Sequence, residues 1–468
     1  YVYWHWQDFY LNREHPVLVK LVSAAGFALT EGDIEWKYKQ DSEESFFRPN
    51  PERRALAGRW TMFLFSLSLL ALLYATLRRL FDRAAAALSV VALTLFPVLI
   101  AHSVFVHTDV PAAFFYLASF SLLVCWSEDH ASRWIWLLGA VLALGSLAKY
   151  SMTLAVINSA IAVALFARRG ERARQFARFA VSFAFFFGLL AWLGYRLQPG
   201  SFVSLHNPHA QWIPLPRFYT EGWTMVWKHN ALGHENVFLM QNGFKGHAAY
   251  FPLAFILKTP IPILIGILAG TYLVFRRSYR WRWIWLLFAG TYWLASIISN
   301  LNLGVRHILP VLVLMWVALA ASLQASLVLR RWRRVTAFLF LWLIVMSFAN
   351  WGSELAYFNE LVGSKNGWKY FGDSNVDWGH QTGNLARFVQ ANGIAPLYQD
   401  LFSRFPLAVY GVSAPPVAEG IEGDHLRPGW YAISAHRLAT RTSRPYDYFR
   451  VAQPDRTFGN SIFLYRVR

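Results

Sequence analysis

Residues 60–81 read WTMFLFSLSLLALLYATLRRLF, a run that stays mainly apolar until two arginines near its end. A helix crosses the hydrocarbon core of a membrane with about 17–25 residues, so this run predicts one spanning helix. Nine further apolar runs follow it, near residues 84–105, 110–127, 134–148, 151–167, 179–198, 250–275, 283–299, 305–325 and 335–350. Together they predict an all-α polytopic membrane protein with about ten transmembrane helices.

The overall composition supports lipid as the solvent of this chain. Hydrophobic residues make up 56% of the sequence and charged residues only 15%, whereas soluble domains carry roughly 25% charged residues. The single cysteine, Cys125, lies inside an apolar run, so no disulfide forms within the chain, and we interpret it as a small buried hydrophobic residue.

The net charge of +18 has a definite distribution along the chain. Every second short connector is rich in arginine, and seventeen arginines against four acidic residues lie in the connectors near 78–83, 128–133, 168–178, 276–282 and 330–334. Positively charged connectors face the cytoplasm. The basic charge therefore indicates membrane topology, and we expect no nucleic-acid partner.

This alternation divides the chain into five parts. We expect a first extracytoplasmic loop at 1–58, transmembrane helices at 59–198, an extracytoplasmic loop with an interfacial helix at 199–249, transmembrane helices at 250–350 and an extracytoplasmic α/β domain at 351–468. Trp212, Trp223 and Trp227 suit a helix that lies in the membrane interface. In the α/β domain, the pattern predicts a helix from Thr382 to Asn392 and strands at Pro406–Val412, Trp430–Ser434 and Ile462–Val467.

Ionisable residues at membrane depth are costly and often functional. His102, His107 and Asp109 converge where one apolar run ends and the next begins. The alternative interpretation is that Asp109 only caps the following helix. Pro111, which suits the first turn of that helix, is compatible with both interpretations.

Several cations lie toward the same outer boundary. Lys149, Lys258 and Arg306 all fall near outer helix ends, which suits an anionic ligand such as a lipid phosphate. For Lys258 and Arg306 the alternative is that the side chain extends to the membrane interface. The stretch from Arg13 to Lys20 adds further charges, although it could be an ordinary loop. His206 and His209 have a spacing that resembles a metal site only weakly.

Five blocks, in order along the chain, resemble the GT-C membrane glycosyltransferases, in the bacterial branch near the protein O-mannosyltransferases and the lipid A aminoarabinose transferase. The first four blocks are Glu14-His15-Pro16 with Lys20, His107-Thr108-Asp109, Tyr250-Phe251-Pro252 with Lys258-Thr259-Pro260, and Gly304-Val305-Arg306-His307-Ile308-Leu309-Pro310. The fifth, Tyr357-Phe358-Asn359-Glu360 followed by Asp373-Ser374-Asn375-Val376-Asp377-Trp378-Gly379, resembles the outer tail of one bacterial subgroup. Each block is short, but their shared order makes the set specific.

The resemblance implies an enzyme that moves a sugar from a polyprenyl-phosphate donor to a lipid, glycan or protein acceptor. It would act with inversion, on the extracytoplasmic face of the bacterial inner membrane. In this family an Asp-Glu pair opens the first outer loop and supplies the catalytic base. Asp8 lies in that loop but in a different context, so we expect the base upstream of Tyr1.

The resemblance also implies roles for individual residues. Asp109 matches the second acid of the family, near the acceptor or supporting the base, and His107 lies beside it. Glu14 and, more loosely, His247 match metal ligands, so a divalent metal is the one cofactor that the resemblance offers. The residues expected to bind the donor phosphate are Lys149, Lys258, Arg306, His307, His15 and Lys20.

A membrane transporter or flippase for a lipid-linked anionic substrate is the alternative function, with the same cations lining its path. Transporters often contain inverted repeats and a site at the membrane midplane. No repeat is evident in this sequence and the polar residues lie at one face, which favours the enzyme. A non-catalytic scaffold is a third hypothesis.

Overall fold

The structure is a computed structural model that describes residues 9, 11–31, 50–197, 215–403, 405–423 and 425–468. Within these residues and up to residue 349, every regular element is a helix apart from one short hairpin. The α-helices are α1 Val17–Glu31, α2 Pro51–Leu80, α3 Arg83–Thr94, α4 Pro97–His102, α5 Asp109–Asp129, α6 Ser132–Ala148, α7 Thr153–Phe166, α8 Arg172–Gly194, α9 Arg217–Leu232, α10 Tyr250–Lys258, α11 Ile261–Arg276, α12 Arg282–Ile298, α13 Leu309–Val328 and α14 Arg330–Ala349.

Each predicted apolar run is helical, which confirms the all-α polytopic class. In the described part of the chain, five helices are long and apolar enough to cross a membrane: α2, α5, α8, α14, and α13 together with the turn that begins at Val305. A sixth span results if α10 and α11 count as one, although they are bent by 116°. By this criterion the predicted number of about ten is too high. Several runs form helices of only 10–17 residues, among them α6 and α12.

Proline accounts for two of the interruptions. The run 84–105 divides at Pro97, which begins α4, and the run 250–275 divides at Pro260, which lies between α10 and α11. A proline inside a helix removes one backbone hydrogen bond, and it also disfavours helical backbone at the preceding residue. Thr259 accordingly has ψ 130°.

The centre of the helical region is α13. Nearly all its residues are buried, as expected for a helix that is apolar on every side. It packs against α3, α5 and α11. The contact with α11 is very close, because a Cβ added at Gly270 would lie 1.7 Å from the carbonyl oxygen of Ala318. Small residues permit this kind of backbone approach between membrane helices.

The two polar ends of the bundle lie at opposite ends of α5. Asp109 is its first residue, and Glu128, near its last, forms an ion pair with Arg79 at the end of α2. At about 1.5 Å per residue, a helix of 21 residues separates these ends by roughly 30 Å. The arginine-rich connectors at 78–83 and 128–133 and the Asp109 region therefore lie at opposite ends of α5.

The carboxyl-terminal unit is built on a four-stranded sheet whose strands lie in the order Leu397–Asp400, Gly429–Ser434, Ile462–Val467 and Arg456–Phe458, named β3, β6, β8 and β7. β3 pairs with β6 in parallel, and the other two pairings are antiparallel. Two hairpins lie outside this sheet, one before α10 and one in the unit itself. The strands are β1 Asn236–Phe238, β2 Gln241–Gly243, β3 Leu397–Asp400, β4 Ile421–Glu422, β5 His425–Leu426, β6 Gly429–Ser434, β7 Arg456–Phe458 and β8 Ile462–Val467, and the helices of the unit are α15 Thr382–Ala391, α16 Ala435–Thr440 and α17 Arg444–Val451.

Most of the elements predicted in this unit are present. The helix from Thr382 and the last two predicted strands correspond to α15, β6 and β8. The strand predicted at Pro406–Val412 is wrong: Leu407–Tyr410 forms a 3-10 turn that ends at Gly411, whose φ is 75°. A left-handed residue at that point ends any extended pairing.

The helix predicted for the loop at 199–249 is also present, as α9. Trp223 and Trp227 stack on each other at 5.8 Å, and Trp227 is 65% exposed. Exposed paired indoles suit a membrane interface. Trp212 lies outside the described residues.

Candidate active site

The candidate site is centred on the carboxylate of Asp109, which is fully buried at the start of α5. Oδ1 accepts a hydrogen bond from Nζ of Lys149, and Oδ2 lies 3.2 Å from NH1 of Arg306. Lys149 follows the last residue of α6, and Arg306 lies in the turn before α13. Three separate helix ends thus meet at one carboxylate.

The capping alternative for Asp109 is not what the structure shows. The N-cap residue is Thr108, and no side chain forms a capping hydrogen bond there. Both carboxylate oxygens of Asp109 are instead engaged by cations. The negative charge at this helix N-terminus is additionally favoured by the helix dipole.

His107 supports the backbone of Asp109. Its Nε2 donates to the carbonyl oxygen of His102 at 3.1 Å, and its Nδ1 accepts from the backbone N–H of Asp109 at 2.9 Å. Nδ1 also lies 3.1 Å from Oδ2 of Asp109. Because an imidazole nitrogen that accepts from an N–H has no proton to donate, we interpret that contact as proximity and His107 as the neutral Nε2–H tautomer.

Among the described residues, the three charged side chains that meet here leave one positive charge uncompensated. Lys149 and Arg306 carry two charges and Asp109 carries one. The side chains of Lys149 and Arg306 are 11% and 13% exposed, and among the described residues neither NH2 of Arg306 nor the other Lys149 protons have an acceptor. Buried surplus charge is costly unless a ligand compensates it. The geometry therefore favours a single anionic group as the ligand.

Two imidazoles lie within the field of these charges. Burial lowers the pKa of His15 to about 4, and the nearby cations Lys149, Lys20 and Arg306 act in the same direction against Asp109. His15 is therefore neutral at pH 7. His307 follows Arg306 directly, and in the described part of the structure its buried Nε2 has no hydrogen-bond partner.

Two other predicted phosphate ligands are engaged elsewhere. Nζ of Lys20 donates to the carbonyl oxygen of Asn12 at 2.6 Å and so holds the turn before α1. Lys258 is almost fully buried, and its Nζ donates to the carbonyl oxygens of Leu355 at 2.8 Å and Asn375 at 2.5 Å. Its alternative, a side chain that reaches the membrane interface, does not apply to this buried ammonium.

The predicted metal ligands do not converge on a centre. Glu14 lies 3.5 Å from Nδ1 of His229, whereas the ring of His247 packs on Phe238 with a centroid distance of 5.1 Å. Among the described residues, no group of three histidine, cysteine, aspartate or glutamate side chains could hold a metal ion. The described residues by themselves therefore do not form a metal site. Asp8, His206 and His209 lie outside the described residues.

The sequence did not single out two residues that contact the site, Ser374 and Trp378. Oγ of Ser374 accepts from Nε of Arg306 at 2.9 Å, and the ring of Trp378 lies 4.6 Å from the Arg306 guanidinium carbon. Both belong to the block from Asp373 to Gly379 that carried part of the family resemblance. That block was the available signal, but nothing in the pattern placed it against Arg306.

Comparison with solved structures gives similarities of low sequence identity. ArnT from Cupriavidus metallidurans, in crystal structures bound to undecaprenyl phosphate and in the apo state, is 15% identical with a TM-score of 0.49; the alignments cover 97% and 96% of this chain and 87% of ArnT. The Archaeoglobus fulgidus oligosaccharyltransferase, in complex with Zn and sulfate, is 12% identical with a TM-score of 0.44, over 91% of this chain and 60% of that one.

Comparison of the sequence with curated proteins gives no significant match. Comparison with family models gives one match. Residues 2–204, somewhat less than half of the chain, match the family model of dolichyl-phosphate-mannose-protein mannosyltransferase. For this part of the chain, the predicted resemblance to the protein O-mannosyltransferases is confirmed.

Proposed function

We propose that this protein is an integral membrane glycosyltransferase that moves a sugar from a polyprenyl-phosphate donor to a lipid, glycan or protein acceptor. The observation that carries the proposal is the buried carboxylate of Asp109 held between Lys149 and Arg306 with one positive charge in surplus. The match of residues 2–204 to a family that uses dolichyl phosphate, itself a polyprenyl phosphate, supports the choice of donor.

The cations would act on the leaving group. When the bond between the anomeric carbon and the phosphate oxygen breaks, the phosphate gains negative charge, and Lys149 and Arg306 are placed to stabilise that charge. A single displacement by the acceptor oxygen on the opposite face of the sugar inverts the anomeric configuration. The acceptor proton passes to a general base.

Asp109 would serve mainly to hold the two cations. A carboxylate whose two oxygens are engaged by Lys149 and Arg306 is a weak proton acceptor, because protonation would break both interactions. In this proposal, Asp109 fixes the positions of the ammonium and guanidinium groups before the donor arrives. Such preorganisation is an efficient way to lower the cost of stabilising charge in a transition state.

We place the reaction on the extracytoplasmic face of the bacterial inner membrane. The arginine-rich connectors, which include Arg79, mark the cytoplasmic side under the positive-inside rule. Asp109 lies at the other end of α5 from the Arg79–Glu128 pair. Reaction of the site with membrane-impermeant reagents in oriented vesicles would test this assignment.

The transfer itself is tested with the purified full-length protein in proteoliposomes. A panel of radiolabelled polyprenyl-phosphate sugars is supplied with total envelope acceptors, and free polyprenyl phosphate and labelled product are measured. We expect turnover of at least one donor, and its loss in Arg306→Ala and Lys149→Ala. Arg79→Ala, which alters an exposed ion pair at the opposite end of the bundle, is the matched control and should retain turnover.

One observation favours the transporter as a second candidate. The pair α10 and α11 is bent by 116°, and broken helices are common around transporter binding sites. The same proteoliposomes separate the two functions. A flippase moves the lipid-linked sugar to the opposite leaflet with its glycosyl-phosphate bond intact, whereas a transferase releases polyprenyl phosphate.

A further inference from the structure

We propose that residues 373–379 of the carboxyl-terminal unit, named here the tail segment, position Arg306 for the donor phosphate, with Trp378 as the main positioning residue. This inference rests on the proposed function. It adds to that function the requirement that the carboxyl-terminal unit completes a site otherwise built from helix ends.

Ser374 fixes one edge of the guanidinium. Its hydroxyl donates to the carbonyl oxygen of Leu303 at 2.6 Å, so the lone pairs of its Oγ are free to accept from Nε of Arg306 at 2.9 Å. The approach is possible because residue 304 is glycine. A Cβ added there would lie 2.3 Å from Oγ of Ser374, and the φ of 128° is one that other residues rarely adopt.

Trp378 fixes the plane of the guanidinium. Its indole lies 4.6 Å from the Arg306 guanidinium carbon. It also contacts the turn before α5, with ring centroids 5.5 Å from Phe105 and 5.7 Å from His107. Trp378 thus packs between Arg306 and the turn that precedes Asp109. Stacking of this kind is favourable and constrains the orientation of the cation.

The tail segment is itself held by buried contacts. The side chain of Asn375 accepts from the backbone N–H of Val305 at 2.9 Å and donates to the hydroxyl of Tyr250 at 2.8 Å. The backbone carbonyl oxygen of Asn375 accepts a hydrogen bond from Nζ of Lys258. Hydrogen bonds therefore hold the tail segment against both α10 and the turn that carries Arg306, and Lys258 donates one of them.

Arg306 consequently reaches the site with its orientation already set. Nε is used by Ser374 and one NH1 proton by Asp109, while NH2 has no partner among the described residues. Arginine recognises phosphate best when its planar fork is presented in a fixed orientation. Loss of the tail contacts would leave the charge in place but free its plane, and would weaken the binding of the donor.

The test measures kcat and KM for the donor in full-length Trp378→Ala, Trp378→Phe and Ser374→Ala. We expect the KM of Trp378→Ala to rise about tenfold, which corresponds to about 1.4 kcal/mol, with a smaller fall in kcat. Phenylalanine keeps an aromatic face and should restore most of the affinity. Trp430→Ala is the matched control, because Trp430 is a half-buried tryptophan of the same unit that stacks on Arg466 at 5.5 Å, away from the site.

The outcomes separate the inference from the function it rests on. If Arg306→Ala abolishes turnover while all three tail variants keep the wild-type KM for the donor, the tail segment has no positioning role. If Arg306→Ala and Lys149→Ala retain wild-type turnover and KM, the proposed function fails as well. Should Trp378→Ala unfold at a lower temperature than Trp430→Ala, Ser374→Ala decides, since it removes a single hydroxyl: a raised KM supports the inference and an unchanged KM contradicts it.

Discussion

Replacement of Asp109 by asparagine should remove the negative charge on which the site depends while it keeps the shape of the side chain. Removal of one partner from a buried ion pair costs about 3–5 kcal/mol, because the remaining charge is left uncompensated. Lys149 and Arg306 retain side-chain exposures of 11% and 13%, so some water can reach them. We therefore place the loss of unfolding free energy for Asp109→Asn near 3 kcal/mol, the low end of that range.

A double-mutant cycle isolates the ion pair from other effects of the substitution. Lys149→Met removes the ammonium and keeps much of its length, so Asp109→Asn should cost less in that background. We expect a coupling of about 2 kcal/mol between the two positions, within the range found for residues in one network. Unfolding in mixed detergent micelles measures the four free energies, and the transfer assay should show both Asp109→Asn proteins to be inactive.

Two results would refute this reasoning. If Asp109→Asn unfolds at the same denaturant concentration as the wild type, the carboxylate does not compensate buried charge. If the two substitutions are additive, Lys149 and Asp109 are not coupled and the contact between them has no energetic role. Retained transfer by Asp109→Asn would separately remove Asp109 from the catalytic machinery.

Three further predictions concern the rest of the molecule. Burial raises the pKa of the Asp377 carboxyl to about 7 from 3.8. Between these two pH values the folded state binds more protons than the unfolded state, so the contribution of Asp377 to stability is lost as the pH rises from about 4 to 7. Because asparagine does not titrate, the Tm of Asp377→Asn should fall less than that of the wild type between pH 5 and pH 8. Gly270→Ala should lower the Tm, because its Cβ would meet the backbone of α13. Gly290→Ala in α12, where a Cβ meets nothing within 4 Å, should leave the Tm unchanged or raise it. Equal effects of the two substitutions would contradict the close packing of α11 on α13. Lys258→Met leaves two buried carbonyl oxygens without their donor, so hydrogen exchange around the tail segment should accelerate, and unchanged exchange would show that the ammonium does not hold that segment.

The helical class followed from the sequence because long apolar runs have few alternatives to a membrane helix. The breaks were harder to predict, since hydropathy averages over them. Pro97 and Pro260 lie inside apolar runs and were the signals for the divisions of the runs 84–105 and 250–275. Hydropathy also cannot distinguish a helix of 17 residues, such as α6 or α12, from a longer span.

For the candidate site, the sequence predicted the residues better than their contacts. Asp109, Lys149 and Arg306 were all expected at one boundary, and they meet there although Arg306 is 197 residues from Asp109 in the chain. Lys258 was expected in the same group on equal grounds, yet it lies against two backbone carbonyls. The direction of a side chain at a helix end depends on which element packs over it, and sequence patterns do not contain that information.

The packing of the carboxyl-terminal unit shows the same limit. Short β-like runs in the sequence predicted the strands β6 and β8, whereas the tail segment has no regular pattern and its role arises from tertiary contacts. Asp373 illustrates this, because its left-handed φ of 52° is stabilised by the imidazole of His436, which accepts its backbone N–H at 2.9 Å. A residue 63 positions away supplies that contact.

The central claim is that Lys149 and Arg306 bind the phosphate of a lipid donor, and a direct binding measurement tests it most simply. The affinities of the purified protein for a short-chain polyprenyl phosphate and for the uncharged polyprenol of the same length would be compared by titration calorimetry in one detergent. We predict that the phosphate binds at least about thirtyfold more tightly, and that Arg306→Ala and Lys149→Ala each reduce this preference about tenfold, as expected for the loss of a charge-assisted hydrogen bond. Equal affinity for the phosphate and the alcohol, or a preference that both variants retain, would contradict the account.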